Sequence, residues 1–352
     1  MKFSTLPRKT LHLAVLFWLG AQAVRGDIYE KANNNTALNL GSSWTNGTPP
    51  GAADVAQWSA VVTGANAVSL GASANWFGIK VANPGGAVTL SNDGNTLTLG
   101  GSGMDLASAT AGLTIDCPLT LSAAQTWNVG GALTLAVNST IGAVGGGTNL
   151  TKSGGGTLNL GGGSAGTPSR LGYFYIASGT VNISGYLDTL STGDKFRLYG
   201  GSTVNWSATG SSTPSYGFYI ADGSAATLNV TGGTLTASPS SWLGIGIGAT
   251  GTLGLSGGTF IVGNNVNLIL GSGYNNTGNG TGIITNSGGT LDTGTTAGLF
   301  QLGNNGGAGT VHLDGGVIAT ARSITRGTGG AGGTATFNFN GGTLRANGDN
   351  AT

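Results

Sequence analysis

The sequence predicts an all-β chain wound as a parallel β-helix, and three observations carry that prediction. Glycine pairs recur at Gly200-Gly201, Gly232-Gly233, Gly257-Gly258, Gly288-Gly289, Gly315-Gly316 and Gly341-Gly342, and the steps between second glycines are irregular but similar. A loose period of this kind marks a solenoid, one supersecondary unit stacked many times. Each pair opens a short β-type run, such as Thr234-Leu235, Thr259-Phe260 or Thr343-Leu344. Thr, Val, Ile, Asn and Gly dominate while Glu occurs once, at Glu30, which favours strands joined by tight turns. The rival arrangement, hairpins forming a sandwich or barrel, uses the same residues with antiparallel pairing.

Gly is 70 of 352 residues without a Gly-X-Y period, which excludes collagen. Charged residues make up 7% and hydrophobic ones 39%, the reverse of a disordered chain, so a long, thin core is expected.

Taken in order, residues 1–23 read as a secretory signal. Lys2, Arg8 and Lys9 precede the apolar run at 11–19, and Ala21-Gln22-Ala23 supplies the small-residue cleavage pattern. The run is short for a bilayer span. The mature chain is therefore expected outside the cell, secreted or surface-exposed, with no membrane-spanning segment. Cleavage removes Lys2, Arg8 and Lys9 from the 13 basic side chains and leaves all 12 acidic ones. A slightly negative chain is a poor partner for nucleic acid.

Residues 24–60, with Trp44, Trp58 and Pro49-Pro50, are read as an N-terminal cap over the first coil. From 61 to 165 apolar residues alternate with Thr or Ala, as in Val88-Thr89-Leu90, Leu113-Thr114-Ile115 and Leu133-Thr134-Leu135, so each run has one inward face. From 166 to 352 coils align directly. Phe174-Tyr175-Ile176-Ala177 matches Phe218-Tyr219-Ile220-Ala221, and 227–233 matches 252–258. The repeating unit is strand, Gly/Asn turn, strand, Gly-Gly, short strand. About 12 coils at about 4.8 Å each give a rod on the order of 55–60 Å long. Chirality rules for parallel connections favour a right-handed coil. Cys117 has no second cysteine to pair with and is expected as a buried small side chain.

Residues 150–162 read Leu-Thr-Lys-Ser-Gly-Gly-Gly-Thr-Leu-Asn-Leu-Gly-Gly. This stretch resembles the autotransporter-associated β-strand repeat, Leu-Thr-Lys-x-Gly-x-Gly-Thr-Leu-x-Leu-x-Gly. The match is close along the whole of 150–162, and the repeats from 170 onward look like looser relatives. The resemblance implies an exported, right-handed β-helical passenger or surface protein of Gram-negative bacteria. Autotransporters end in a membrane barrel of alternating strands. This chain ends at Thr352 just after a Gly-Gly-Thr-Leu corner, so a chain truncated at the C-terminus is expected, the alternative being a short cap of unrecognised sequence.

The function expected from these features is a non-catalytic, adhesin-like or structural role, with glycans or other cell-surface components as partners. Tyr175 and Tyr219 occupy equivalent outward positions, with Tyr173 and Tyr216 nearby, and form the candidate glycan-stacking ladder. The alternative is a polysaccharide-active enzyme. Sugar-acid chemistry needs clustered carboxylates with a cation, and the densest charged stretch is 188–197, with Asp194, Lys195 and Arg197. No catalytic constellation, cofactor motif or metal-ligand spacing is read. His312 is the one histidine beyond the signal, and alternation between Val311 and Leu313 points it outward. Thr-x-Thr pairs at 96/98, 234/236 and 334/336 fall at different motif positions and make a weak case for an ice-binding face.

Overall fold

The structure, a computed structural model, describes residues 26–143, 148–190, 195–214, 216–273, 279–294, 298–329 and 333–347. The expected signal at 1–23 and Asp194 lie outside these residues. Strands of successive coils pair in parallel, each with its counterpart one coil on, and build three sheets of 15, 12 and 8 strands among the described residues. The molecule is a parallel β-helix. The 12 strands of the second sheet count the coils, in agreement with the number expected from the repeats.

Register follows from keeping apolar residues stacked. In the second sheet Thr134, Thr157, Thr180 and Thr203 align, one from each successive coil. Their neighbours Leu135, Leu158, Val181, Val204, Leu228 and Leu253 form an inward file, every member fully buried. A one-residue slip would turn that file to solvent, so burial of roughly 1.5–3 kcal/mol per large apolar side chain holds the register.

In the first sheet Leu150, Phe174, Phe196, Phe218, Leu243 and Leu268 form the equivalent file. Phe196 and Phe218 stack with centroids 4.5 Å apart, while Phe174 meets Phe196 edge-on at 5.9 Å. Buried tryptophans find partners for their indole N–H groups: Trp58 donates to Asn66 Oδ1 and Trp206 to the Ala208 carbonyl. Cys117 is buried, and burial pushes its thiol up to about 12.

The third sheet begins as a separate layer at Ser169–Leu171. Earlier coils carry long strands, Ala74–Val81 and Leu97–Leu106, whose register shifts between Trp76 and Gly78. The strands opened by five of the six glycine pairs line up in this third sheet: Thr234, Thr259, Thr290, Val317 and Thr343 are in register. The Gly200-Gly201 pair does not belong with them. It opens Ser202–Trp206, a strand of the second sheet, whereas the true counterpart of Thr234 is Thr209. The step from Gly201 to Gly233 therefore joins two different corners, and the coil there runs from Thr209 to Thr234. The long step from Gly258 to Gly289 is real, since Thr259 pairs with Thr290.

Residues 26–60 do not stand apart from the ladder: Ile28–Glu30 pairs in parallel with 55–57 and supplies the first strand of the first sheet. The intervening loop reaches the free edge of the second sheet, where Leu38 and Asn39 donate to the carbonyls of Ser69 and Leu70. Among the described residues no helix is long and apolar enough to cross a membrane.

Candidate functional site

Outward positions of the first sheet hold the greatest concentration of chemically distinctive side chains. Alternation sets Thr126, Thr151, Tyr175, Arg197, Tyr219, Gly244 and Ile269 in one outward file, one per coil. Tyr175 and Tyr219 share this file as expected, but they are two coils apart and Arg197 stands between them. The sequence match of 174–177 to 218–221 thus skips a coil, with Phe196-Arg197-Leu198 as the intermediate copy.

The expected ladder is interrupted, and its members differ in exposure. Tyr173 and Tyr175 are half-buried and stack on each other at 5.9 Å. Tyr216 is 56% exposed, whereas Tyr219 is only 4% exposed and supports the surface from below. Among the described residues, two features place and cover the Tyr219 ring. Gly217 precedes it, and a Cβ there would overlap the Tyr219 ring, so the phenol lies back over its own strand. Trp242 of the next coil packs on it with centroids 5.1 Å apart. Trp242 itself lies close over Gly244, where any side chain would strike the indole. Two glycines in the outward files therefore let aromatic rings lie flat.

Cations are interleaved with these rings. The Lys195 ammonium sits 5.4 Å from the Tyr216 ring centroid and 5.3 Å from that of Tyr219. Arg197 lies over Tyr199, with its guanidinium carbon 4.4 Å from the ring centroid. Its Nε is 2.7 Å from Asp222 Oδ2, an ion pair without the alignment of a directed hydrogen bond, and Nη2 donates to the Asp222 carbonyl at 3.3 Å. Asp222 is buried and offsets the Arg197 charge. This is the single ion pair among the described residues.

A polar trough of about 270 Å³ adjoins this patch along the axis, lined by Ser102, Gln125, Thr126, Asn149 and Thr151. Asn149 joins the two, because its Oδ1 accepts from the Tyr173 backbone N–H at 3.1 Å. A second groove of about 390 Å³ lies on the third sheet beside Thr236, Ile261, Asn264, Asp292 and Asn347. Asp292 Oδ1 is already engaged there by Gly294 N and Asn347 Nδ2 at 2.8 and 2.6 Å.

The charged stretch read as a possible enzyme site is divided by the fold. Asp188 lies on the third sheet, accepting from Ser211 N and Oγ at 3.0 and 2.6 Å, while Lys195 and Arg197 lie on the first. Among the described residues no three His, Cys, Asp or Glu side chains converge to hold a metal ion. His312 faces outward, half-buried, with Nδ1 3.1 Å from Asn338 Nδ2. The Thr-x-Thr pairs fall in three different sheets.

Two lysines missed by the sequence reading are fully buried. Lys152, inward beside Leu150, donates to the carbonyls of Gly154, Gly156 and Ser178 at 2.5, 2.7 and 3.0 Å. Lys31 donates to the carbonyls of Ala32 and Asn34 and to Asn34 Oδ1. Burial pushes each ammonium down to about 8. The alternation Leu150-Thr151-Lys152 already places that lysine on the leucine side. Trp242 and Asp222 were also missed, because only the register between coils brings them to Tyr219 and Arg197.

Comparison with protein-family models, with curated proteins and with solved structures finds no match to this chain.

Proposed function

We propose that this chain is a non-catalytic, exported β-helical protein that serves as a rigid extracellular or surface rod with an adhesin-like, glycan-contacting face. The observation that carries the reading is the uninterrupted stack with aromatic and cationic side chains gathered on one sheet while Thr, Asn and Ser dominate elsewhere. A stack of this kind holds its outer face rigid along the axis, which suits display and contact. Export is supported by the n-region, apolar run and small-residue site at 1–23.

The resemblance of 150–162 to the autotransporter-associated repeat points the same way. Those residues form strand, glycine corner and strand, and the motif lysine binds the corner carbonyls. The pattern thus has a physical reason to recur in coils of this kind.

The reading is tested by incubating purified protein with a panel of neutral and acidic polysaccharides and following both retention and product release. Retention without new chain ends is expected. Release of products that is abolished by Asp194→Ala would overturn the reading in favour of a carbohydrate-active enzyme.

A further inference from the structure

We infer that the outer face of the first sheet binds a carboxylate-bearing polysaccharide laid along the helix axis, with Lys195 as the anion contact and Trp242 and Tyr216 as ring platforms. The inference rests on the rod reading and specifies its ligand.

Charge comes first. Arg197 is compensated by Asp222, whereas Lys195 faces two aromatic rings and no carboxylate among the described residues. The rings hold the ammonium in place through their quadrupoles while leaving its positive charge uncancelled. A lysine so placed presents a point charge to an incoming anion.

Shape agrees with charge. Trp242 is half-buried and lies close over Gly244, and Tyr216 is largely exposed beside the same ammonium. An exposed tyrosine ring with an ammonium 5.4 Å from its centroid, and an indole packed on the neighbouring Tyr219, suit a sugar acid, whose C–H face packs on an aromatic surface while its carboxylate meets the ammonium.

Length then selects a polymer. From the trough at Thr126 to Trp242 the face crosses five rungs, about 24 Å. Over that distance Thr126, Asn149 and Thr151 add hydroxyl and amide groups suited to sugar hydroxyls, and Ser102 adds another one rung before it. A chain of several sugar rings fits such a track better than a single ring does. Nucleic acid does not fit, because its binding needs many cations along the backbone, and between Thr126 and Trp242 the described residues of this face offer one lysine without an ion-pair partner.

The test is affinity electrophoresis of the purified protein through gels containing polygalacturonate, its fully methyl-esterified form, or a neutral glucan, over a salt series. Polygalacturonate is expected to retard the protein, with retardation falling as salt rises. Lys195→Gln should weaken this at least tenfold, and methyl-esterified polymer should bind as weakly as the variant does. Trp242→Ala should also weaken binding at least tenfold. Melting temperatures within a few degrees of the parent would show that both variants fold. Equal retardation of Lys195→Gln and parent, or equal binding of the esterified polymer, would overturn the inference. So would tighter binding of the neutral glucan, or no retardation in any gel. The rod reading is judged separately by product release, so the two can fail independently.

Discussion

Lys152 shows how single residues set the corners of this molecule. Its ammonium takes two carbonyls of the glycine-rich turn, Gly154 and Gly156, and that of Ser178 in the next coil, at distances of 2.5 to 3.0 Å. Lys152→Met would fill the space but leave the Ser178 carbonyl without a donor, whereas Gly154 keeps the Ser178 hydroxyl at 3.1 Å and Gly156 keeps the Thr180 N–H at 3.2 Å. A buried acceptor left unpaired costs about 1–3 kcal/mol. Chemical denaturation at pH 7 should therefore show a loss of about 1–3 kcal/mol. The pH dependence has a definite sign. Burial lowers this lysine from its ordinary 10.5 to about 8. Between those values the unfolded chain binds a proton that the folded chain does not, so raising the pH favours folding. The parent should gain stability relative to Lys152→Met from about pH 8 to 10.5. A flat difference across that window would show that the lysine titrates normally. Within the phenylalanine file, Phe218→Ala should cost about 3–5 kcal/mol in the same denaturation measurement, since packed coils cannot collapse into the gap.

At the scale of the element, glycine does two different jobs, lying under aromatic rings and turning corners. Ala221, Gly246, Gly271 and Gly303 follow the aligned residues Ile220, Ile245, Leu270 and Leu302, all with φ between 65° and 76°. The first sheet bends there, and a Cβ on Gly246 would overlap the Thr281 carbonyl. Gly246→Ala should thus destabilise the fold by about 3 kcal/mol in denaturant titrations, combining backbone strain with overlap. Such duties were only partly legible in the sequence. Strand, turn, strand and Gly-Gly were readable because alternation and turn residues are local signals. The pair Gly200-Gly201 looks like its fellows, yet it serves a different corner, and only hydrogen-bond register separates the two. The outward placement of Tyr219 is likewise local, but its burial depends on Trp242, a residue one coil away whose position no local pattern specifies. Aromatic packing also holds the start of the stack. Trp44 meets Trp58 and Trp76 at 6.1 and 6.0 Å, and the adjoining Leu38 and Asn39 bond the edge at Ser69 and Leu70. If this segment closes the end of the stack, Trp44→Ala should speed amide exchange in Asn66–Ser69 more than in Ser202–Trp206. Equal changes in both strands would remove the closing role.

For the whole molecule, the consequence of stacking is a rigid exterior whose side chains are spaced by rung. That geometry turns a few outward residues on neighbouring coils into one face, and it lets a chain with 7% charged residues concentrate aromatic rings and cations on one sheet. Rod and face alike depend on coils lying one upon another along the full length. Spin labels at Thr89 and Thr285 measure this directly, because the two share an outward file of the second sheet eight rungs apart. Pulsed dipolar spectroscopy should return a single distance of about 38 Å. A distance below about 25 Å, as antiparallel ribbons folded into two facing layers would give, contradicts the stack and the face built upon it.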